Sequence, residues 1–131
     1  MMKIDKILLD NLTTQAKESP RLRMNLDLRN SDADSSQRML NAIEPGSVVP
    51  IHRHQKTSET VVVLRGCVVE EYYSSAGVLE ASYELAAGGP VFALNIPAGQ
   101  WHTLRALESG TVILEMKDGA YEPIGAWDVM E

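Results

Sequence analysis

The sequence contains little cysteine and no excess of basic residues. Its single cysteine, Cys67, excludes an internal disulfide and is typical of proteins of a reducing compartment. The formal net charge is −6, and the sequence shows no basic stripe of the kind that binds phosphate backbones. We therefore expect no nucleic-acid partner.

Long apolar runs are also absent. The apolar start of the chain, residues 4–12, is interrupted by Asp5, Lys6, Asp10 and Asn11. It is therefore too short and too charged for a signal peptide or a membrane span. We expect a protein that does not bind membranes and that lies in the cytoplasm.

Histidine is scarce too, but all three histidines lie where a metal site needs them. His52 and His54 are two residues apart, Glu59 follows them, and His102 follows much later after Pro97 and Gly99. Alternate residues of a β-strand point to the same face, so His52 and His54 are expected to point at one place. Three imidazoles and one carboxylate are a common ligand set for a divalent transition metal such as zinc, iron, manganese, nickel or copper. The sequence therefore predicts a metal held by His52, His54, Glu59 and His102.

The remaining pattern predicts one helix followed by many short strands. Residues 4–18 place Ile4, Ile7, Leu8 and Leu12 on one helical face, and Pro20 follows the end of this helix. From residue 21 to 29 polar and apolar residues alternate, as in a half-buried strand. Further β runs are predicted at 38–43, 48–52, 60–64, 67–73, 78–85, 92–96, 102–107 and 111–116.

Glycine and proline separate these runs, which is typical of an antiparallel sandwich or barrel. The length and the absence of repeats or linkers predict a single domain over residues 1–131, with a helical segment at 1–19 and a β-barrel at 20–131.

The strand at 60–64 is apolar on both faces. Val61 and Val63 share the side of Glu59 and should line the barrel, which leaves Val62 and Leu64 on the outside. An outward apolar face needs a cover, which is either the N-terminal segment or a second subunit. We expect a homodimer that pairs through this face.

Candidates for a ligand rim lie outside the histidine motifs. Arg21 and Arg23 belong to the polar face of the strand at 21–29, which is either solvated surface or an anion-binding edge near the cavity mouth. Glu115, Lys117 and Tyr121 either pack within the C-terminal tail or reach the cavity rim.

Two motifs resemble those of the cupin superfamily. Gly46-x5-His52-x-His54-x4-Glu59-x6-Gly66 matches the first cupin motif, and Pro97-x-Gly99-x2-His102 matches the centre of the second. The leading glycine and the closing asparagine of the second motif are replaced by Val91 and Ala106. Three further segments are Ser19-Pro-Arg21-Leu-Arg23, Pro50-Ile-His52-Arg-His54 and the tail from Glu115 to Trp127. In these the chain resembles, more narrowly, WbuC-type cupin-fold metalloproteins, which are associated with bacterial O-antigen and surface-polysaccharide gene clusters. The resemblance implies an all-β, double-stranded β-helix (jelly-roll) barrel with a metal inside.

Such a site leaves roughly one to three coordination positions open, which is typical of catalytic metal sites. We expect the protein to bind or act on a small polar ligand, a sugar or sugar-nucleotide derivative, in surface-polysaccharide biosynthesis. The alternatives are a non-catalytic ligand-binding or sensor module, a metal-dependent dioxygenase-type cupin, and a purely structural metal. Every histidine is already assigned to the metal, so the sequence indicates no catalytic residue.

Overall fold

A computed structural model describes residues 1–130, which form one α-helix, eight strands and one short 3-10 helix. The expected all-β domain with an N-terminal helix is confirmed. The bounds of the elements in chain order are α1 (Lys6–Glu18), β1 (Arg23–Asp27), β2 (Gln37–Ile43), β3 (Glu59–Arg65), β4 (Cys67–Tyr73), β5 (Leu79–Ala86), β6 (Ala93–Ile96), β7 (Trp101–Ala106), β8 (Thr111–Lys117) and the 3-10 helix (Ala126–Asp128).

The strands form two antiparallel sheets. One has five strands in the order β1-β2-β8-β3-β6, and the other has three in the order β5-β4-β7. The inward residues of both sheets form the barrel core, and these include Ile43, Val61, Val68, Leu85 and Ile113. Val61 and Val63 are buried as expected.

The predicted strand at 48–52 is wrong. In this segment only His52 pairs, through isolated bridges with His102 and Val129. Pro50 has no N–H to donate to a strand neighbour, and the hydroxyl of Thr103 binds the carbonyl of Val49 at 2.6 Å. The segment is therefore held by side-chain contacts and single backbone bridges rather than by a ladder.

Helix α1 begins where the carboxylate of Asp5 accepts a hydrogen bond from the Leu8 N–H at 3.0 Å. Its buried residues are Leu9, Leu12, Thr13 and Ala16. The predicted buried face was wrong for Ile4 and Ile7, which are 47% and 70% exposed. The helix begins only after Ile4, and Ile7 lies two residues before Leu9, about 200° around the helix axis.

The buried face of α1 packs on the outer side of the five-stranded sheet. The helix and this side of the sheet form a second apolar cluster, separate from the barrel core. Leu64 packs against that cluster, so the N-terminal helix covers Leu64. Arg65 of β3 holds the helix against the sheet. Its guanidinium donates hydrogen bonds to the carboxylate of Asp10 at 2.6 Å, to the hydroxyl of Thr13 at 3.1 Å and to the carbonyl of Gly110 at 2.7 Å. Among residues 1–130 no helix is long and apolar enough to cross a membrane.

Gly66 makes the one-residue connection between β3 and β4. Its φ is +85°, and a Cβ at this position would collide with the hydroxyl of Thr111 and lie 2.8 Å from the Thr111 Cα. Only glycine fits both the backbone conformation and the close approach of β8. The motif glycine therefore allows β3 to pass directly from one sheet into β4 of the other.

Candidate metal centre

The three histidines converge at one end of the barrel. One ring nitrogen of each of His52, His54 and His102 lies within 4.8 Å of the others. His102 is in β7, and its backbone exchanges hydrogen bonds of 2.8 and 3.0 Å with His52. The carbonyl of His54 accepts a hydrogen bond of 2.8 Å from the Gly99 N–H. The loop of the second motif therefore holds the backbone of His54, which belongs to the first motif.

Backbone carbonyls orient two of the imidazoles. Nδ1 of His52 lies 2.8 Å from the carbonyl of Pro50, and Nδ1 of His102 lies 2.8 Å from that of Gln100. A carbonyl only accepts hydrogen bonds, so each Nδ1 carries the proton and each Nε2 keeps its lone pair. This is the arrangement in which outer hydrogen bonds fix a histidine for metal binding.

Glu59 completes the cluster. It is the first residue of β3 and is buried, with Oε2 at 3.5 Å from Nε2 of His54 and 3.4 Å from Nε2 of His102. This oxygen has no hydrogen-bond partner among the described residues. A buried carboxylate oxygen facing two imidazole lone pairs is unfavourable unless a cation lies between them. The donor set therefore fits a divalent transition metal.

The protonation states also suit a metal. Burial, followed by the neighbouring His102, lowers the pKa of His52, and burial with Lys117 lowers the pKa of His54 to about 4. Burial alone would raise the pKa of Glu59, but His102 and Lys117 outweigh it and lower the pKa. At neutral pH His52 and His54 are thus neutral and Glu59 is ionised, which are the forms that bind metals.

The cluster opens into a cavity of about 280 Å³. Three of the four predicted rim residues, Arg21, Arg23 and Lys117, line this cavity together with the histidines and Glu59. Arg23 and Asn25 belong to the polar face of β1, whereas Met24 and Leu26 pack against the helix. Arg21, Arg23 and Asn25 thus lie along the edge of this cavity.

Tyr121 does not line this cavity. It is 60% exposed, and the guanidinium of Arg29 lies 5.6 Å from its ring centre. It lines a second cavity of about 600 Å³ between the C-terminal tail and the loop at 53–57. The two cavities share His54, Lys117 and Ile124.

The tail also passes beside the first motif. The carbonyl of Asp128 accepts a hydrogen bond of 3.0 Å from the Arg53 N–H, and the Met130 N–H donates to the carbonyl of Ile51 at 2.8 Å. The Arg53 guanidinium binds the Asp128 carboxylate at 2.9 Å and lies 4.7 Å from the centre of the Trp101 ring. Residues 128–130 thus hold the backbone on both sides of His52.

Two acidic residues lie inside the barrel: Glu70, which sequence reasoning missed, and Glu115, for which it left tail packing and a place at the cavity rim open. Glu115 of β8 lines the metal cavity, accepts a 3.4 Å hydrogen bond from Asn41, and has a pKa that is raised by burial and then by Glu59. Glu70 of β4 is fully buried, and neither carboxylate oxygen has a partner among the described residues. Burial raises the pKa of Glu70 to about 9. Strand parity was an available signal, because Glu70 lies between Val68 and Tyr72 on the inward face.

Solved structures share this fold. The capsular polysaccharide assembling protein CapF from Staphylococcus aureus matches with a TM-score of 0.67 and 19% identity, over 80% of this chain and 30% of CapF. An oxalate oxidase in complex with glycolate matches with a TM-score of 0.67 and 17% identity, over 83% of this chain and 57% of the oxidase. KdgF from Halomonas sp. matches with a TM-score of 0.62 and 16% identity, over 79% of this chain and 84% of KdgF.

These are cupin-fold proteins, so the cupin barrel with a short N-terminal helix is confirmed. The chain spans less than a third of CapF. No curated protein matches the sequence. A family model matches residues 4–85, which is more than half of the chain and contains His52, His54 and Glu59. The chain therefore belongs to the family described as "Domain of unknown function (DUF6016)".

Proposed function

We propose that this cupin holds a divalent metal with His52, His54, Glu59 and His102 and presents it to a small polar ligand in the barrel. The observation that carries the proposal is the position of the buried Glu59 oxygen, which faces the Nε2 atoms of His54 and His102. A metal at this position satisfies all of these groups together.

The ligand we propose is a sugar derivative of bacterial surface-polysaccharide biosynthesis. The support is the resemblance to WbuC-type cupins together with the fold shared with CapF, itself a capsular polysaccharide assembling protein. The cavity beside the histidines gives such a ligand access to the site, which a closed structural metal site would not need.

When bound, a divalent metal supplies Lewis acidity toward a carbonyl or hydroxyl oxygen. The residues of the chain perform the other tasks. The carbonyls of Pro50 and Gln100 hold His52 and His102 in one tautomer. Glu115 lines the same cavity, and its raised pKa allows it to carry a proton near neutral pH. This group fills the role of acid or base for which the sequence offered no histidine.

The alternatives differ in what happens to the ligand. A binding or sensor module binds sugars without product, a dioxygenase-type cupin consumes oxygen, and a structural metal changes stability without any ligand binding. The open cavity favours the first two alternatives over the third.

The metal is tested by elemental analysis of protein purified without added metal. Glu59→Gln should lower metal affinity by more than about tenfold, which is about 1.4 kcal/mol, because the amide lacks the negative charge. Glu80→Gln, on the exposed strand β5, is the control and should bind metal like the wild type.

His52→Ala combined with His102→Ala should abolish metal binding, because only His54 and Glu59 remain. Retention of one metal per chain by this double variant would place the metal elsewhere. The ligand is tested by calorimetry of the metal-loaded protein against sugars, sugar nucleotides and small carboxylates. Equal binding after removal of the metal would disprove a metal-centred ligand site.

We also propose a cytoplasmic homodimer. The helix covers Leu64, which leaves Val62 and the exposed apolar residues of the β5–β6 region for a subunit contact; these are Val78, Leu79, Val91 and Phe92. Light scattering at micromolar concentration tests the dimer, and a monomer mass would disprove it.

A further inference from the structure

Three cations that line the metal cavity have no acidic partner within residues 1–130. Arg21, Arg23 and Lys117 form no salt bridge with any residue from 1 to 130, whereas four of the other five arginines do. The fifth, Arg105, lies exposed in β7. The paired arginines, with distances of 2.6–3.1 Å, are Arg29 with Asp27, Arg38 with Asp34, Arg53 with Asp128 and Arg65 with Asp10.

The fold holds Arg23 in place without neutralising it. One guanidinium nitrogen, Nη1, donates to the carbonyl of Val48 at 2.7 Å and to the hydroxyl of Ser47 at 3.4 Å. Nε and Nη2 have no protein acceptor among the described residues. This guanidinium is held in place through one nitrogen, and its remaining N–H groups are available as donors. It is therefore preorganised to bind a carboxylate or phosphate.

The electrostatics of the cavity favour an anion. Burial, and then the like charge of Arg21, lowers the pKa of Arg23. Three cations face two carboxylates, Glu59 and Glu115, so the cavity carries a local charge of about +1 in a chain of net charge −6. A divalent metal would add two further positive charges to the cavity.

The size of the cavity restricts the anion. A volume of about 280 Å³ lies just below the range of small-molecule sites, roughly 300–1,000 Å³. A sugar nucleotide would extend out of the cavity, whereas a single sugar ring with one charged group fits.

We propose that the cavity binds a monosaccharide-sized oxyanion, whose carboxylate or phosphate is held by Arg21 and Arg23 while another of its oxygens reaches the metal centre. This inference rests on the proposed function and narrows its ligand class. Lys117 pairs with Glu59 across β3 and β8 and lines the same cavity, so it adds positive charge beside the proposed metal ligands.

The test is calorimetry of the metal-loaded protein with three ligands that share one ring: glucose, glucuronate and glucose 1-phosphate. At least one anion should bind more than about tenfold tighter than glucose, in keeping with a charge-assisted hydrogen bond. The better of the two anions distinguishes a carboxylate from a phosphate. The preference for an anion should persist, more weakly, in protein stripped of metal by a chelator.

Arg23→Gln should reduce the affinity for the preferred anion by about tenfold or more and leave metal content unchanged. Arg21→Gln, at an exposed residue where the fold is not at risk, should act in the same direction. Arg105→Gln removes the same charge outside the cavity and should leave the affinity unchanged.

Equal binding of all three sugars, or an equal effect of Arg23→Gln and Arg105→Gln, would disprove the anion subsite and leave the metal-centred pocket standing. Failure of any sugar or small carboxylate to bind the metal-loaded protein would disprove the proposed function as well.

Discussion

At the scale of single residues, the barrel interior contains more carboxyl groups than an apolar core ordinarily holds. Glu59, Glu70 and Glu115 come from three different strands. Negative charge on Glu59 and Glu115 adds to the effect of burial in raising the pKa of Glu70, and charge on Glu59 likewise raises the pKa of Glu115. Glu59 and Glu115 have neighbours that give them a role at the cavity. Glu70 has no hydrogen-bond partner in the described part of the chain and no access to solvent. Because burial raises its pKa to about 9, its carboxyl group is protonated in the folded protein at neutral pH.

Glu70→Gln should stabilise the protein at alkaline pH. Burial and the charges of Glu59, Glu115 and Glu71 raise the pKa of Glu70 to about 9, so the folded state holds this proton more tightly than the unfolded state. The resulting stability is present below about pH 4.5 and is lost as the pH rises toward 9. Relative to its difference from the wild type at pH 4.5, the glutamine variant should gain on the order of 5 kcal/mol at pH 8.

Urea unfolding between pH 5 and 9, with chelator present throughout, measures this gain. The control is Glu71→Gln on the opposite face of β4, which should keep the slope of the wild type. An unchanged slope in Glu70→Gln would show that Glu70 is ionised in the folded protein.

The role of a residue could be predicted from the sequence when that residue belongs to a short motif, and not when its role depends on contacts between distant segments. His52, His54, Glu59 and His102 could be predicted to converge because their spacing forms two short motifs. The roles of Arg21 and Arg23 stayed open, since only the pairing of β1 with β2 turns their face toward the cavity. Glu115 and Tyr121 depend on contacts between distant segments, and spacing along the chain does not encode those contacts.

The connections between elements determine how the two sheets meet. Gly66 and Gly99 both belong to the cupin motifs, and their φ angles are +85° and +83°. Their surroundings differ, because a Cβ at Gly99 would meet no atom within 4 Å, whereas a Cβ at Gly66 would collide with Thr111.

Gly66→Ala should therefore destabilise the protein far more than Gly99→Ala. Both variants incur the strain of a left-handed alanine, about 1–2 kcal/mol, and only Gly66→Ala must also displace β8. Thermal unfolding of the two variants isolates the steric contribution. Equal losses of stability would mean that β8 moves away without cost.

Leu12→Ala should weaken the docking of α1. Leu12 is buried among the residues that join the helix to the five-stranded sheet, so a loss of about 2–3 kcal/mol is expected from denaturant unfolding. Ile7→Ala is the matched control in the same helix. Because Ile7 is 70% exposed, its replacement should change the free energy of unfolding by less than about 0.5 kcal/mol.

The same helix shows why its buried face was predicted incorrectly. Ile4, Ile7, Leu8 and Leu12 have helical spacing, but so do Leu9, Leu12 and Ala16. The choice between these faces depends on the helix start after Asp5 and on the contact of Arg65 with Asp10 and Thr13. A periodic pattern predicts that a helix forms. Tertiary contacts then determine how the helix is rotated about its axis, and therefore which face is buried.

At the scale of the whole molecule, the metal should stabilise the fold that forms its site. The proposed ligands come from the first-motif loop, β3 and β7, and β3 and β7 lie in different sheets. A metal at 100 times its dissociation constant adds about 2.7 kcal/mol, and removing it by chelation should lower Tm by roughly 10 °C.

Scanning calorimetry with and without chelator measures this shift. The variant with His52→Ala and His102→Ala should show no response to the chelator, because it has no metal to lose. A chelator effect of equal size in that variant would mean that the stabilising ion binds elsewhere.

The contact of residues 128–130 with the backbone around His52 has a practical consequence for purification. A histidine tag joined to the chain soon after residue 130 would begin beside the strand bridge between His52 and Val129 and would bring competing imidazoles close to the proposed metal site. At the other terminus Met1 is fully exposed and precedes the helix. A removable tag at the amino terminus is therefore the better choice for measuring native metal content.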